Sequence, residues 1–280
     1  MPRLALLLEY HGKNFHGSQY QTGVRTVQLE LERALAVFFR APLRVTLSGR
    51  TDTGVHAKGQ VAHFDVADFD GDFWRLLWGL NGILAQDISV VKAQIVPDDF
   101  HARFSAVERE YVYRILNRPQ RSALYHDSHY FLPLPLDIGL MSSCAGRIVG
   151  THDFSSFKSS NSDRTSATCH VSRAELLNFG EGELEFWIAA NHFVYNMVRI
   201  LVGTLIEIGL GKRTPEGFVE ALHGANRNLS GPTAPPWGLT LNSVKYPDVY
   251  RLFQEGSQED RRRSKKRAQI PIEESTTEKR

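Results

Sequence analysis

The part of this sequence best suited to chemistry is the polar loop SGRTDTGVHA, residues 48–57. Asp52 is its only carboxylate, with Arg50 two positions before it and His56 four positions after it. A nearby arginine favours the ionised form of a carboxylate, which is the form that a nucleophile or a general base requires. A short polar loop can equally be a plain turn in which Asp52 bonds to its own backbone. The spacing alone leaves both interpretations open.

A second candidate is Arg199, which interrupts a strongly apolar segment, residues 193–206. The apolar neighbours predict a buried helix. A charged side chain on such a helix either extends along its stem to water or binds an anionic partner. The partners that we consider are Asp52 and a bound phosphate.

A third candidate is the alternating segment that contains Arg109, Tyr111 and Tyr113. In a strand these three side chains share one face. Cations beside aromatic rings suit RNA, because cations bind phosphates and rings stack on bases. A half-buried strand face is the plainer explanation, and the pattern alone favours it slightly.

Two other kinds of site receive weaker support. Asp52, His56 and His63 could together hold the metal ion of a hydrolase, but one carboxylate with scattered histidines is a weak metal pattern. Cys144 and Cys169 are isolated and lack zinc-ligand spacing, which is typical of free thiols in a reducing compartment. We therefore expect no metal and no disulfide.

Apolar periodicity predicts the elements that must position these residues. Helices show spacing near 3.6 residues and strands show alternation. We expect Thr26 to cap the first helix and Gly209 to follow the fourth as its C′ residue. Helices are predicted at residues 26–39, 72–84, 136–149, 194–208 and 214–223, and strands at 4–10, 43–47, 60–66, 88–96, 109–116, 168–177, 184–191 and 239–246.

The strands and helices recur in two sets, with a boundary near residues 97–105. Because they do not alternate strictly, they predict an α+β fold with a largely antiparallel sheet. We expect an N-terminal half at residues 1–100, which carries the Asp52 loop, and a C-terminal half at residues 101–249. Residues 250–280 form a polar basic tail that is expected to be disordered, and its part 256–280 lacks apolar periodicity.

Charge and hydropathy limit the class of protein. The chain has 33 Lys and Arg against 31 Asp and Glu. Residues 256–280 hold eight basic and five acidic side chains, so the body is almost neutral. An RNA partner therefore requires basic side chains that are concentrated on one face. No apolar run is long enough to span a bilayer, and the N-terminal run lacks a cleavage site. We expect a soluble cytoplasmic protein.

Five segments together resemble the tRNA pseudouridine synthase A family. They are the GRTDTGVHA loop, an F-x-A-R-F-S-A…R-x-Y-x-Y segment, a G-x-x-D-F-x-x-F segment, an F-x-x-x-M-V-R-x-x-V-G helix and a closing A-P-x-x-G-L-x-L. They occur in the family's order at residues 49–57, 100–113, 150–157, 193–203 and 234–241. Thr53 departs from the pattern, since the family commonly has alanine there.

The resemblance implies a function and a set of site residues. It implies a homodimer that isomerises uridine to pseudouridine at positions 38, 39 and 40 of the tRNA anticodon stem-loop, without metal or organic cofactor. Asp52 would be the catalytic aspartate, Arg50 would handle the flipped nucleotide and Tyr111 would stack on the target base. Arg199 would pair with Asp52, and Leu241 (or Leu239) would help to wall the pocket.

The resemblance also implies a fold. It consists of two ferredoxin-like (RNP-like) halves that share one antiparallel sheet, with helices on one side and the active-site cleft between the halves. An RNA chaperone that binds tRNA without chemistry remains the alternative outside enzymology.

Overall fold

The computed structural model of the protein describes residues 1–159 and 166–254. Of the tail at residues 250–280, which is expected to be disordered, residues 255–280 lie outside the described residues. Among the residues described, no helix is long and apolar enough to cross a membrane.

The first part of the chain forms four strands and two α-helices. Thr26 and Asp72 cap the two helices, and their side chains accept hydrogen bonds from the backbone N–H groups of Leu29 and Arg75. These caps explain why the helices begin where the sequence predicts. The elements are β1 (Arg3–Tyr10), α1 (Val27–Phe39), β2 (Thr46–Leu47), β3 (His56–Asp65), α2 (Phe73–Ile83) and β4 (Ile88–Val96).

The second part forms six strands and three α-helices. Asp137 and Thr214 cap the first and third of these helices in the same way. The elements are β5 (Glu108–Asn117), β6 (Tyr130–Leu132), α3 (Ile138–Gly146), β7 (Gly150–Asp153), β8 (Thr168–Gly180), β9 (Glu183–Ala190), α4 (Met197–Gly209), α5 (Pro215–His223) and β10 (Leu239–Lys245).

All ten strands belong to one mixed sheet, in the order β4-β1-β3-β10-β5-β9-β8-β7, with β2 paired to β3 and β6 paired to β5. Every pairing is antiparallel except β10 with β3 and β5 with β6. We call the pairing of β3 with β10 the seam, because it joins the two parts of the chain. At the seam Thr240 pairs with His56 and Leu241 with Ala57. The α+β class and the largely antiparallel sheet are therefore confirmed.

One large hydrophobic core includes residues from all five α-helices and from one face of the sheet. A smaller cluster on Ala5, Val61 and Phe100 packs with Tyr250 and Phe253 of the described C-terminal segment. The principal core explains the alternation of the strands, since only one set of side chains on each strand enters it.

Three predicted boundaries are wrong for identifiable reasons. β3 begins at His56 rather than at residue 60, because β10 pairs with its first two residues. α4 begins at Met197 rather than at residue 194, because Asn196 takes a left-handed backbone conformation with φ 62°. Gly209 is not a C′ residue but lies within α4 against Met141, and the left-handed position falls to Gly211 with φ 69°.

Two further differences concern short elements. β6 and β7 have three and four residues, too few to show an alternation in the sequence. The predicted helix at residues 136–149 is shorter, because it begins after the Asp137 cap and ends at Gly146.

Candidate active site

Four of the five predicted site residues meet at the seam. Asp52 lies in the loop of residues 48–55 that precedes β3, which we call the Asp52 loop. Leu241 of β10 pairs with Ala57 on one side and with Tyr111 of β5 on the other. Arg199 reaches the same place from α4, 147 residues away from Asp52 in sequence. One carboxylate, one guanidinium, one phenol and one apolar wall thus come together.

Arg199 is fixed by three acceptors. Its Nη1 donates to Asp52 Oδ2 at 3.2 Å and to Asn196 Oδ1 at 2.8 Å. Its Nε donates to the Ala234 carbonyl at 2.8 Å. The side chain is 16% exposed, so most of it is enclosed by protein. Pairing with Asp52 therefore explains a charged residue on this buried helix.

Two opposing effects act on Asp52. Burial raises the pKa of its carboxyl, and Arg199 lowers it through its charge and its hydrogen bond. Burial is the larger effect, so the pKa lies above the ordinary value. Among the described residues nothing donates a hydrogen bond to the second oxygen, Oδ1. One oxygen is thus held by Arg199, and the other is available to a ligand.

Arg50 does not contribute to this pair. We expected both Arg50 and Arg199 to keep Asp52 ionised, but Arg50 is exposed and forms no ion pair or hydrogen bond with any described residue. The expectation is therefore wrong for Arg50. Its guanidinium lies at the surface of the Asp52 loop, where it can meet a phosphate or a nucleotide.

The N-cap residue of α4 binds the site residue Arg199 instead of capping its own helix. The other four α-helices begin at a side chain that accepts a backbone N–H, but the N-cap Asn196 makes no such bond. Its Oδ1 accepts from Arg199, and its Nδ2 donates to Ser159 Oγ at 2.8 Å. The helix therefore lacks one capping bond, and Arg199 gains an acceptor.

The Asp52 loop is anchored by residues that sequence reasoning missed. Thr51 donates its N–H to Ser18 Oγ at 2.8 Å, and its carbonyl accepts from the Ser18 N–H at 3.0 Å. The Tyr10 hydroxyl lies 2.8 Å from Thr51 Oγ1 and also accepts from Gln60 Nε2. These contacts fix the residue next to Asp52. No local pattern marks Ser18, Tyr10 or Gln60, because their partners are distant in sequence.

His56 joins three segments around the loop. Its Nδ1 accepts from the Gly12 N–H at 3.0 Å, and its Nε2 lies 2.9 Å from the Trp237 carbonyl. This arrangement requires the neutral ring with its proton on Nε2. Burial and the neighbouring His11 lower the pKa of His56, which favours the neutral ring. Any side chain on Gly12 would overlap the Val55 carbonyl, since a Cβ there would lie 2.1 Å from its oxygen.

The same contacts bear on the alternative metal site. Both nitrogens of His56 are engaged with backbone groups, and His63 Nδ1 accepts from the Ala102 N–H at 3.1 Å. In the described parts of the chain no group of three or more His, Cys, Asp or Glu side chains is placed to bind a metal ion. Asp52, His56 and His63 therefore do not form the site that a metal hydrolase requires.

The two tyrosines of β5 have different environments. Tyr113 is fully buried, and its hydroxyl donates to the Pro235 carbonyl at 2.8 Å. Tyr111 is 9% exposed, packs edge-on against Phe193 with ring centres 5.1 Å apart, and its hydroxyl has no hydrogen-bond partner among the described residues. Burial, with Tyr10 and Asp52 nearby, raises the pKa of Tyr111. Tyr111 therefore lies beside Asp52 as a neutral phenol.

Arg109 binds protein rather than solvent. Its guanidinium donates to the backbone carbonyls of Ala106, Asn191, Ser48 and Arg103. Because Tyr113 is also buried, only Tyr111 of the three alternating residues remains a candidate for contact with RNA. Tyr113 is fully buried and Arg109 is half-buried, so the plainer explanation of this strand accounts for both.

The register of β10 distinguishes the two leucines considered for the pocket wall. Leu241 pairs with Tyr111, whereas Leu239 pairs with Tyr113. Leu241 is fully buried. It therefore supports the Tyr111 ring from the neighbouring strand.

Fold and site together define a class of protein: an α+β enzyme with a single arginine-paired aspartate where two half-sheets join. A family model described as tRNA pseudouridine synthase matches residues 7–105 and 145–247. Asp52 lies in the first matched stretch, Arg199 and Leu241 in the second, and Tyr111 between the two. The chain belongs to the tRNA pseudouridine synthase family, whose members convert uridine in tRNA to pseudouridine.

Individual relatives agree over most of the chain. The chain is 44% identical to tRNA pseudouridine synthase A of Halalkalibacterium halodurans over 241 residues, which are 85% of this chain and 90% of that protein. It is 44% identical to the protein of the same name from Methylococcus capsulatus over 250 residues, 89% of this chain and 92% of that one. For the protein of the same name from Paraburkholderia phymatum, identity is 40% over 252 residues, 90% and 94% of the two chains.

Proposed function

We propose that this isomerase acts on uridines 38, 39 and 40 of the tRNA anticodon stem-loop, and that Asp52 is its catalytic carboxylate. The observation that supports the choice of Asp52 is its geometry. One carboxylate oxygen is held by Arg199 at 3.2 Å, and the other has no donor among the described residues. A carboxylate that is partly buried, oriented and still free on one side is suited to act on a bound nucleotide.

The reaction requires a base to leave its stack. Isomerisation breaks the N1–C1′ bond, turns the base and joins C5 to C1′; the proton on C5 is lost and N1 gains one. Extruding a nucleotide from a stacked stem costs a few kcal/mol, which contacts with the surrounding RNA offset. We assign Arg50 to the flipped nucleotide, because it is exposed on the Asp52 loop and has no ionic partner among the described residues.

Tyr111 and Leu241 would hold the base while it turns. The Tyr111 ring, fixed edge-on by Phe193 and supported by Leu241, offers a flat apolar surface beside Asp52. Because burial raises its pKa, Tyr111 stays neutral at pH 7. A neutral phenol stacks on the base without charge repulsion, and its hydroxyl can relay the proton that leaves C5.

The proposal also covers the division of the chain into two halves and its oligomeric state. In the N-terminal part the strand order is β4-β1-β3, with β2 on β3, and in the C-terminal part it is β10-β5-β9-β8-β7, with β6 on β5. Each order places the last strand of its part beside the first, as a ferredoxin-like half would. We propose two such halves, at residues 1–100 and 101–249, in a cytoplasmic homodimer. Sedimentation equilibrium tests the dimer, since a single species near 31.6 kDa would contradict it.

The test of the site uses an unmodified tRNA transcript. Pseudouridine is mapped as carbodiimide-dependent reverse-transcription stops, with wild type and Asp52→Asn in parallel. We expect stops one nucleotide 3′ of positions 38–40 with wild type and none with the variant, which keeps the side chain's size but not its charge. Substantial pseudouridine formation by Asp52→Asn would contradict the role of Asp52. Tight binding by wild type without any new pseudouridine would favour the RNA chaperone.

A further inference from the structure

The connection between β4 and β5 contains two phenylalanines with opposite environments. We call residues 100–106 the 100–106 turn. Phe100 is fully buried, with its ring centre 5.1 Å from that of Tyr246 and 5.2 Å from that of Tyr250. Phe104, four residues later, is 77% exposed. One aromatic residue anchors the turn in the smaller cluster, and the other projects into solvent.

The exposed ring is presented by a rigid backbone. His101 Nδ1 accepts the N–H groups of both Arg103 and Phe104, at 3.2 and 3.1 Å. Ser105 Oγ accepts the N–H of His101 at 3.0 Å, and Ala102 donates its N–H to His63. These bonds use backbone groups of the turn and leave the Phe104 side chain out. The backbone at Phe104 is therefore held in place without any contact between the Phe104 ring and the core.

His101 also backs the ring. The two ring centres are 4.4 Å apart and the planes differ by 29°, which is a stacked arrangement. The guanidinium carbon of Arg103 lies over the Phe104 ring, 5.6 Å from its centre, and the ring as a whole is still 77% exposed. A ring that is stacked on one face and mostly open to solvent extends the stack to a further flat partner.

The turn is tied to the Asp52 loop. Arg109 Nη2 donates to the Arg103 carbonyl at 2.6 Å and to the Ser48 carbonyl at 3.2 Å. One nitrogen thus holds the backbone next to Phe104 and the first residue of the loop. Arg50, two positions after Ser48, is exposed on the same loop. The exposed ring and the exposed cation therefore lie on segments that share one clamp.

We infer that Phe104, backed by His101, is a stacking platform for an unpaired base of the RNA substrate next to the target uridine. The inference rests on the proposed action on tRNA. An unpaired base is flat, aromatic and joined to phosphates. The ring matches the base, and Arg103 and Arg50 match the charge of the phosphates. Extruding the target uridine removes a stacking neighbour from the adjacent base, and the platform replaces it.

The test compares Phe104→Ala, Phe104→Leu and Phe104→Trp with wild type on an unmodified tRNA transcript at one salt concentration. The matched control is Phe179→Ala, which removes a ring that is 62% exposed at the far end of β8. The Kd and the single-turnover rate at saturating tRNA are measured for each protein. Stacking on one base corresponds to about a 5- to 150-fold effect on affinity.

We expect Phe104→Ala and Phe104→Leu to weaken binding within that range, because neither offers an aromatic face. Phe104→Trp should bind like wild type, and so should Phe179→Ala. The rate at saturation should change less than about threefold, since chemistry is assigned to Asp52. A transcript that carries 2-aminopurine at an unpaired position beside the target should lose fluorescence on binding to wild type and less on binding to Phe104→Ala.

Three results would overturn the inference. The Kd of Phe104→Ala could equal that of wild type, Phe104→Leu could bind as tightly as wild type, or Phe104→Ala could change the sedimentation mass. The second result would indicate apolar bulk rather than stacking, and the third would place Phe104 in a contact between copies of the chain. If wild type itself binds the transcript but forms no pseudouridine, the proposed function fails and the inference falls with it.

Discussion

The two parts of the sheet contribute unequal components to the site. The N-terminal part supplies Asp52 on a loop, whereas the C-terminal part supplies Arg199, Tyr111 and Leu241 from a helix and two strands. The proposed catalytic carboxylate is thus on a loop, and its partners are on regular elements. Hydrogen bonds to Thr51 and His56, instead of helix or strand pairing, fix the position of the loop. A loop can carry a reactive carboxylate accurately when its neighbours are fixed in this way.

The regular elements could be predicted from the sequence, whereas the contacts between distant residues at the site could not. α1 and β4 follow their periodicity, because the signal for each is local. The pairing of Asp52 with Arg199 joins residues 147 positions apart and depends on the seam. The residues alone left Arg199 with two candidate partners, and the family resemblance chose between them. Asn196 could not be identified, because its left-handed conformation and its bond to Arg199 arise only in the folded chain.

We expect the largest effect on the reaction when Arg199, the positive charge that the C-terminal part contributes to the site, is replaced. Arg199→Gln removes the only cation that contacts Asp52 within the described residues. We expect the single-turnover rate to fall about 10²- to 10³-fold, as when one preorganised electrostatic contact is removed. The free energy of unfolding should fall by about 2 kcal/mol, because the carboxylate is left partly buried without its partner. A rate within threefold of wild type would show that the pair does not serve the reaction.

Tyr111 and Tyr113 lie on the same strand, β5, but we expect their substitution to affect different properties of the protein. Tyr111→Phe removes a hydroxyl without a hydrogen-bond partner among the described residues, so the free energy of unfolding should not change. Its rate should fall about 10²-fold if the hydroxyl relays a proton. Tyr113→Phe breaks the bond to Pro235 and should lower stability by about 1 kcal/mol with little effect on rate.

Urea unfolding and single-turnover kinetics on both variants check this prediction. In the reverse result, Tyr113→Phe slows the reaction and Tyr111→Phe does not. That result would assign the proton relay to Tyr113 and contradict the role proposed for Tyr111.

The smallest effect concerns stability at the Asp52 loop. Burial raises the pKa of Asp52 in the folded protein, so the folded state binds its proton more tightly than the unfolded state does. The wild type therefore gains stability as the pH falls through the folded pKa towards the unfolded one, and Asp52→Asn lacks this gain. At pH 7 we expect the variant to be equal to wild type or up to about 1 kcal/mol more stable, as is common at functional sites.

Thermal unfolding of Asp52→Asn and wild type between pH 4 and pH 7 measures this difference. The advantage of the variant should shrink as the pH falls. A difference that grows towards low pH would mean that Asp52 stabilises the fold as an ion, contrary to the raised pKa.

We propose that Arg199 sets the ionisation of Asp52 across the seam, and the pH dependence of the single-turnover rate shows whether it does. We expect the rate to require the ionised carboxylate and therefore to fall on the acid side as Asp52 is protonated. Because Arg199 lowers the pKa of Asp52, Arg199→Gln should move this acid limb to higher pH. Arg199→Lys keeps the charge and should move it less, and Arg50→Gln should not move it. An acid limb at the same pH in wild type and Arg199→Gln would contradict the account.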